Sequence, residues 1–292
     1  MPESVAAGRR GSQALDLSSA AARPSEVLRM EPFATRIDGP VAVIGDVHGQ
    51  VDKLADVVQR LRKMPDFSRR WLVFIGDYVD RGPDPKGAMD LMLALRREHS
   101  GVTAIAGNHD FAMLAALQLI ATPEQACWPQ RWLDHYDAET TFASYGVEFG
   151  DLDALREQMP EDHREFLVNL PWCVEHPRYV FVHAGLDSNV PYDLQLRILR
   201  QKDTTLHRPQ WLCSKALVDA EVPGDCPVAA VSGHVRVPQV AFRKKRILVD
   251  TSGGEDGPLS AVLLPEKKVV SSQEMARPDS RPPKSRWRIW SS

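Results

Sequence analysis

The chain has 292 residues, 43% hydrophobic and 26% charged, with 36 lysines and arginines against 39 aspartates and glutamates and a formal net charge of −3. That apolar content supports a sizeable core, and the near-balanced charge excludes nucleic-acid binding driven by bulk positive charge. No uninterrupted apolar run approaches the ~18 residues of a membrane span, so no membrane-spanning segment is expected.

Residues 1–34 are small, polar and without periodicity, and are expected to form a flexible arm. The arm lacks the apolar segment of a secretory signal. It is rich in Ala, Ser and Arg, like an organelle transit peptide, but Glu3, Asp16 and Glu26 weigh against that assignment. Val41-Ala42-Val43-Ile44 then reads as a buried strand ending in Gly45-Asp46. Asp52 to Lys63 carries Leu54, Val57, Val58 and Leu61 at helical spacing, and Trp71 to Ile75 repeats the strand signal before Gly76-Asp77. Lys86 to His99 is helical, with Ala88, Leu91, Met92 and Leu95 on one face, and Val102 to Ala106 is a third strand. This alternation predicts an α/β fold with a mainly parallel sheet covered by helices. Residues 111–172 read as a helical insertion forming a cap, with helices at Phe111 to Ile120 and around Glu161 to Leu170. Strands follow at Tyr179 to Val182 and Val228 to Val231. Ile247 to Val249 and Leu259 to Leu264 alternate like antiparallel strands, with Gly253-Gly254 in the turn region between them. The catalytic domain is thus expected over 35–270, followed by a flexible, basic, Pro-rich tail over 271–292.

Five of these apolar runs end in polar clusters: Gly-Asp-Val-His-Gly at 45–49, Gly-Asp-Tyr-Val-Asp-Arg-Gly at 76–82, Gly-Asn-His-Asp at 107–110, His-Ala-Gly at 183–185 and Gly-His at 233–234. Ligands of open α/β sheets bind beyond the carboxyl ends of strands, so the clusters should converge. Their Asp, Asn and His side chains form a mixed oxygen and nitrogen donor set. It suits first-row divalent ions and is too rich in imidazole for calcium or magnesium. Six ligands are too many for one tetrahedral site and right for two ions sharing a carboxylate, the arrangement that clamps an in-line phosphoryl displacement.

The order and spacing of these motifs resemble the calcineurin-like metallophosphoesterases, whose core is a two-sheet β sandwich flanked by helices. Gly-Asp-Tyr-Val-Asp-Arg-Gly-Pro-Asp at 76–84 is similar to the phosphoprotein phosphatase branch. Gly-Asn-His-Asp-Phe-Ala at 107–112, after Gly-Pro-Asp-Pro-Lys at 82–86, is most similar to the Rhizobiales-like phosphatases, some of which prefer phosphotyrosine. The resemblance implies two divalent ions (manganese, iron or zinc, with manganese favoured in vitro). Asp46 and His48 would hold the first, Asp77 would bridge both, and Asn108, His183 and His234 would hold the second. It further implies His109 as general acid, Asp80 orienting it, Arg81 gripping the phosphate, and direct attack by a metal-bound hydroxide. The implied partner is a phosphorylated protein or peptide, carrying phosphotyrosine or phosphoserine/threonine, and not a nucleic acid.

The chain departs from the eukaryotic serine/threonine phosphatases in having Gly-Asn-His-Asp where they have Glu, and His-Ala-Gly where they have a second Gly. Their second phosphate-gripping arginine has no clear counterpart, and Arg197, Arg200 and Arg236 are candidates without a motif to choose among them; no basic groove is evident either. A symmetrical dinucleoside tetraphosphate hydrolase of the same superfamily is the alternative, and a non-catalytic module that binds phosphorylated partners is a third. The remaining histidines (His99, His135, His163, His176 and His207) are expected at structural or surface positions, and Trp128, Trp132 and Tyr136 in the core of the cap. Arg243-Lys244-Lys245-Arg246 is expected at a solvated hairpin tip. Cys127, Cys173, Cys213 and Cys226 are widely spaced, which fits reduced thiols in a cytoplasmic protein better than a disulfide framework.

Overall fold

A computed structural model describes residues 31–273. Most of the expected N-terminal arm, and the tail from residue 274 with Trp287 and Trp290, lie outside the described residues. The chain runs β1 (Val41–Ile44), α1 (Val51–Arg62), β2 (Trp71–Phe74), α2 (Pro85–Glu98), β3 (Val102–Ala104) and α3 (Asn108–Ala116). The cap follows as α4 (Trp128–His135), α5 (Glu139–Ser144), α6 (Leu152–Gln158) and α7 (Glu161–Val168). Then come β4 (Cys173–His176), β5 (Tyr179–Val182), α8 (Tyr192–Gln201), α9 (Gln210–Cys213) and α10 (Ala216–Asp219). The described chain closes with β6 (Ala229–Ser232), β7 (Ala241–Phe242), β8 (Arg246–Leu248), β9 (Ser260–Leu264) and β10 (Lys268–Ser271). Among the described residues no helix is long and apolar enough to cross a membrane.

The strands form two five-stranded sheets, ordered β10-β9-β1-β2-β3 and β4-β5-β6-β8-β7. β1, β2 and β3 are parallel, as are β5, β6 and β8; the first sheet ends on parallel β3 at one side and adds β9 and β10 through antiparallel pairs at the other, whereas the second has an antiparallel pair at each edge, β4 with β5 and β7 with β8. Alternate residues of both sheets (Val41, Val43 and Val262 from one, Phe181, Val231 and Ile247 from the other) pack into one apolar cluster. The intervening residues Ala42 and Ile44 are also buried, because helices cover the outer face. The two-sheet sandwich flanked by helices is therefore the fold of this chain.

Local chemistry explains where the helices begin. Asp84 caps α2 by accepting from the Gly87 amide at 2.8 Å, with Pro85 at the first helical position. Helix α3 starts at Asn108, ahead of the expected Phe111, because the Asp110 carboxylate accepts from the Gly107 amide at 2.8 Å and closes the first turn. Asn108 and His109 consequently sit on a helix, not in the loop before it. Residues 187–227, over which periodicity signalled no element, hold α8, α9 and α10. These are short and broken by Pro191, Pro209 and Pro223.

Three further expectations are corrected. Ile247–Val249 and Leu259–Leu264 do not pair with each other: β8 joins β6 and β7, whereas β9 crosses to the other sheet and pairs with β1. Both are buried on both faces, so their apparent alternation marks no solvent side. Residues 32–34 are docked: Phe33 is buried edge-on against Phe166 with ring centroids 5.1 Å apart, and the Thr103 hydroxyl donates to the Ala34 carbonyl at 2.7 Å. Arg243 to Lys245 do form a turn, between β7 and β8, but Arg246 is buried. Its guanidinium donates to the carbonyls of Leu217 and Ala220 and to Ser232 Oγ, tying α10 to the second sheet. Replacing it, Arg246→Met, leaves those carbonyls without a donor. The expected loss is about 2–4 kcal/mol of unfolding free energy, read as a lower urea midpoint at unchanged slope.

Candidate active site

Every expected site residue lies just beyond the carboxyl end of a strand: Asp46 and His48 after β1, Asp77, Asp80 and Arg81 after β2, Asn108 and His109 after β3, His183 after β5 and His234 after β6. Both sheets point these ends the same way, so distant stretches of sequence meet. The turns are tight. His48, Asp77, Asp80, Arg81 and His234 all have positive φ, between 43° and 70°, a region non-glycine residues seldom occupy. A side chain on Gly76, itself at φ 105°, would press on the Gly107 backbone 2.6 Å away, so this glycine lets the loops after β2 and β3 touch.

Asp77 is the centre of the arrangement. Its Oδ1 accepts from the His109 amide at 2.9 Å, and its Oδ2 lies 3.5 Å from His48 Nε2 and 3.3 Å from His183 Nε2. Two groups of donor atoms, each within 4.8 Å of one another, share this carboxylate: His48, Asp77 and His109, and Asp77, His183 and His234. Asn108 Oδ1 joins the second, 3.0 Å from His183 Nε2 and 2.7 Å from His234 Nδ1. The first group contains His109, assigned to proton transfer by the resemblance, in the place expected for Asp46. Asp46 Oδ2 is occupied by the His234 amide at 2.8 Å, while its Oδ1 is buried without a partner, as is His234 Nε2.

These features fit a pair of cations. His48 Nδ1 hydrogen-bonds the Val79 carbonyl at 2.9 Å and His183 Nδ1 the Ile75 carbonyl at 2.8 Å, which turns both Nε2 lone pairs inward. Burial, then Asp250, raises Asp46 far above the ordinary carboxylate range. Burial alone would lower His183, but the adjacent Asp77 carboxylate lifts it to about 10. The site's carboxylates therefore draw positive charge strongly, and orphaned donor atoms are in place to receive it.

The imidazole–carboxylate pair of His109 and Asp80 adjoins this cluster and is buried. His109 Nδ1 and Asp80 Oδ2 are 2.8 Å apart. Two cap residues complete the Asp80 shell, Trp132, expected only as cap core, and Thr141, for which there was no expectation: Trp132 Nε1 donates to Oδ2 at 2.9 Å, and Thr141 Oγ1 donates to Oδ1 at 2.6 Å. Burial raises Asp80 well above its usual value and lowers His109 to about 4. Asp250 was also missed. It is buried at the end of the β8 run, and its Oδ1 accepts from the Ser252 and Gly253 amides. The apolar run Ile247 to Val249 ends in this Asp, a signal like the one before Asp46 and Asp77 but without their glycine.

A cavity of about 330 Å³ opens over the site. Asp77, Asn108, His109 and His234 form its floor, and Arg81, Tyr136 and Lys215 are on its walls. Arg81 Nη1 lies 3.2 Å from His48 Nε2 and donates to the Gly253 carbonyl at 3.1 Å. His135, expected at a structural or surface position, also lines this cavity. Trp128 and Trp132 are buried in the cap core as expected, but Tyr136 packs edge-on to His109 at 4.8 Å and faces the cavity. None of Arg197, Arg200 and Arg236 reaches it. Arg200 is held by Glu175 and Arg236 by Glu255, each at 2.8 Å; the cations present are Arg81, Arg131, Arg208 and Lys215.

The fold and the site define a phosphoesterase: residues 39–252 match the model of the calcineurin-like phosphoesterase family, and the chain belongs to it. The chain is 30% identical over 194 residues to serine/threonine-protein phosphatase 1 of Salmonella typhimurium, covering 63% of this chain and 76% of that protein, which places it with the phosphoprotein phosphatase branch. A shorter match, 40% identical over 73 residues, is to the symmetrical bis(5'-nucleosyl)-tetraphosphatase of Salmonella paratyphi A; it spans 25% of this chain and 24% of that protein. Among solved structures, one provisionally assigned as a diadenosine tetraphosphatase shares the fold at TM-score 0.54 and 22% identity, over 82% of this chain and 97% of the other.

The Trp132 and Thr141 contacts tie the cap to the Asp80–His109 pair. Thr141→Val removes a donor to Asp80 without changing side-chain shape. It is expected to lower kcat on p-nitrophenyl phosphate about tenfold while KM changes little, as measured by steady-state kinetics.

Proposed function

We propose that the chain is a two-metal phosphatase acting on phosphomonoesters of phosphoproteins. The observation that carries this reading is a carboxylate, Asp77, shared by two donor groups on the floor of a cavity that also holds an imidazole–carboxylate pair and an arginine. Asp46, His48, Asp77, Asn108, His183 and His234 would hold the ions. Divalent ions bound there supply Lewis-acid stabilisation of a phosphoryl group and lower the pKa of water. Manganese, iron or zinc all suit the donors.

The protein's own contribution follows from its geometry. Arg81 offers a planar fork for two phosphoryl oxygens, and Lys215 adds charge from the opposite loop. Asp80, fixed by Trp132 and Thr141, holds His109 through Nδ1, so that Nε2 is the nitrogen left to pass a proton to the departing ester oxygen. Tyr136 packs edge-on to the His109 ring, which is buried but for its face on the cavity.

Turnover should depend on added divalent metal and be lost in Asp77→Asn. His109→Ala is expected to cost about 10²- to 10⁴-fold on a phosphoserine peptide. Its cost on a phosphotyrosine peptide should be smaller, because a phenol leaving group with a pKa of about 10 needs less protonation than an alkoxide. Single-turnover rates on the two peptides measure the difference. Metal-loaded protein that leaves both peptides and p-nitrophenyl phosphate intact would sink the reading.

A dinucleoside tetraphosphate hydrolase is the second reading, favoured by the 73-residue match to the symmetrical tetraphosphatase. Asp80 fits the phosphomonoesterase well, since it holds His109 for proton transfer to a departing ester oxygen. Comparing kcat/KM for diadenosine tetraphosphate with that for a phosphotyrosine peptide separates the two.

A further inference from the structure

Trp128, Trp132 and Tyr136 fall four residues apart, so helix α4 and the residue that ends it turn all three the same way. Trp128 meets Phe111 of α3 with ring centroids 5.2 Å apart, Trp132 reaches Asp80, and Tyr136 is carried to the cavity over the donor cluster. The next residue is pinned: Asp137 has a φ of 53°, and its carbonyl accepts from the Arg81 amide at 3.0 Å. Cap helix and β2 loop together therefore hold this tyrosine, which is buried, against the site.

The Tyr136 hydroxyl meets the side chain of Asn108. Asn108 Oδ1 faces His183 Nε2 at 3.0 Å and His234 Nδ1 at 2.7 Å, so the end of the amide turned to the phenol is the Nδ2 donor. The two ends of a carboxamide are alike in size and opposite in chemistry. An oxygen aimed at the donor group can bind a cation, and a nitrogen there cannot. His183 Nδ1 is committed to the Ile75 carbonyl, so the neutral ring presents a lone pair from Nε2. A reversed amide would donate Nδ2 to that lone pair and fill the place of an ion. By accepting from Nδ2, the phenol oxygen opposes the reversal.

The ring of the same residue has a second contact. It packs edge-on to His109 at 4.8 Å, and His48 is edge-on to the same imidazole at 4.5 Å. His109 is gripped by Asp80 at Nδ1 alone, at 2.8 Å, and an imidazole held at one nitrogen can still swing about that bond. Two edge-on aromatic neighbours restrict the swing.

We propose that Tyr136 is a positioning residue of the catalytic centre: its hydroxyl holds Asn108 with the oxygen toward His183 and His234, and its ring keeps the His109 imidazole in line with Asp80. The inference rests on the two-metal reading of the site.

Equilibrium dialysis of the full chain against manganese, with ions counted per chain, reads the first contact. Turnover of p-nitrophenyl phosphate at saturating manganese reads the second. Tyr136→Phe keeps the ring and removes the hydroxyl. It should weaken one of the two bound manganese ions about tenfold, while kcat at saturating manganese stays within about twofold. Asn108→Asp has oxygen at both ends of the ligand and no orientation to lose. In that background Tyr136→Phe should change manganese affinity by less than about twofold, a non-additivity that a tyrosine serving only as packing would not show. Tyr136→Leu removes the ring as well and should lower kcat at saturating manganese about tenfold with KM little changed. Manganese affinity unmoved by Tyr136→Phe, an equal loss in both backgrounds, or an unaltered kcat in Tyr136→Leu overturns the inference, while two bound ions and turnover in the unmodified protein keep the phosphatase reading standing. Should Tyr136→Leu not fold, Tyr136→Phe in the two backgrounds decides. An unmodified chain that binds fewer than two manganese ions and hydrolyses nothing removes both readings.

Discussion

The loop after β2 supplies Asp77, Asp80 and Arg81, and all three have left-handed backbone conformations that their own side chains disfavour. The Asp110 carboxylate holds the first of them there, while the Asp80 amide donates to Thr141 Oγ1 at 2.9 Å and the Arg81 amide to the Asp137 carbonyl at 3.0 Å. One Asp110 oxygen accepts from the Gly107 and Asp77 amides at 2.8 Å, the other from the Tyr78 amide at 2.9 Å. A single buried group thus closes the first turn of α3 and fixes the β2 loop against it. Burial and the Asp77 charge raise Asp110 to about 7, so the group that secures the geometry is itself held at an electrostatic cost. With this brace in place, Asp77 can face His48 and His183 at once.

The rest of the molecule serves that geometry in layers. Parallel strand centres in both sheets direct five polar clusters to one edge, and the packed sandwich between the sheets resists their separation. The cap contributes more than cover. Trp132 and Thr141 reach from α4 and α5 to Asp80, so the orientation of His109 depends on helices inserted between β3 and β4. A tilt of α4 or α5 would reach His109 through hydrogen bonds before it altered the cavity mouth.

Legibility from sequence followed the physics of each feature. Val41–Ile44, Trp71–Phe74 and Tyr179–Val182 are short apolar runs ending in Gly-Asp or His-Ala-Gly, and both strand and site residue could be read from them. Pairing between distant strands could not. Leu259–Leu264 looks like a partner of Ile247–Val249 because it comes next, yet it is buried on both faces and sits beside β1 in the other sheet. The supporting shell was hidden for a similar reason. Trp132 reads as cap core and Thr141 carries no motif, and only a tertiary contact turns their polar atoms toward Asp80. Arg131 lies on cap helix α4, and Arg208 and Lys215 lie in a proline-broken stretch, none with motif spacing, whereas Arg200 and Arg236, equally plausible on paper, are spoken for by Glu175 and Glu255. Asp250 alone carried a usable signal that went unread.

The crossing of β9 bears on how this chain acquires its shape. β1 leaves the ribosome before every other described strand, yet its antiparallel neighbour at Ser260–Leu264 emerges only after both halves of the donor cluster, the cap and the second sheet have been synthesised. Until then one edge of β1 has unmet backbone amides and carbonyls, and the nascent polypeptide carries an open, aggregation-prone border. Sealing the first sheet is thereby a late, long-range event, so a chain interrupted before residue 260 would have every donor residue and still lack the strand that closes its scaffold.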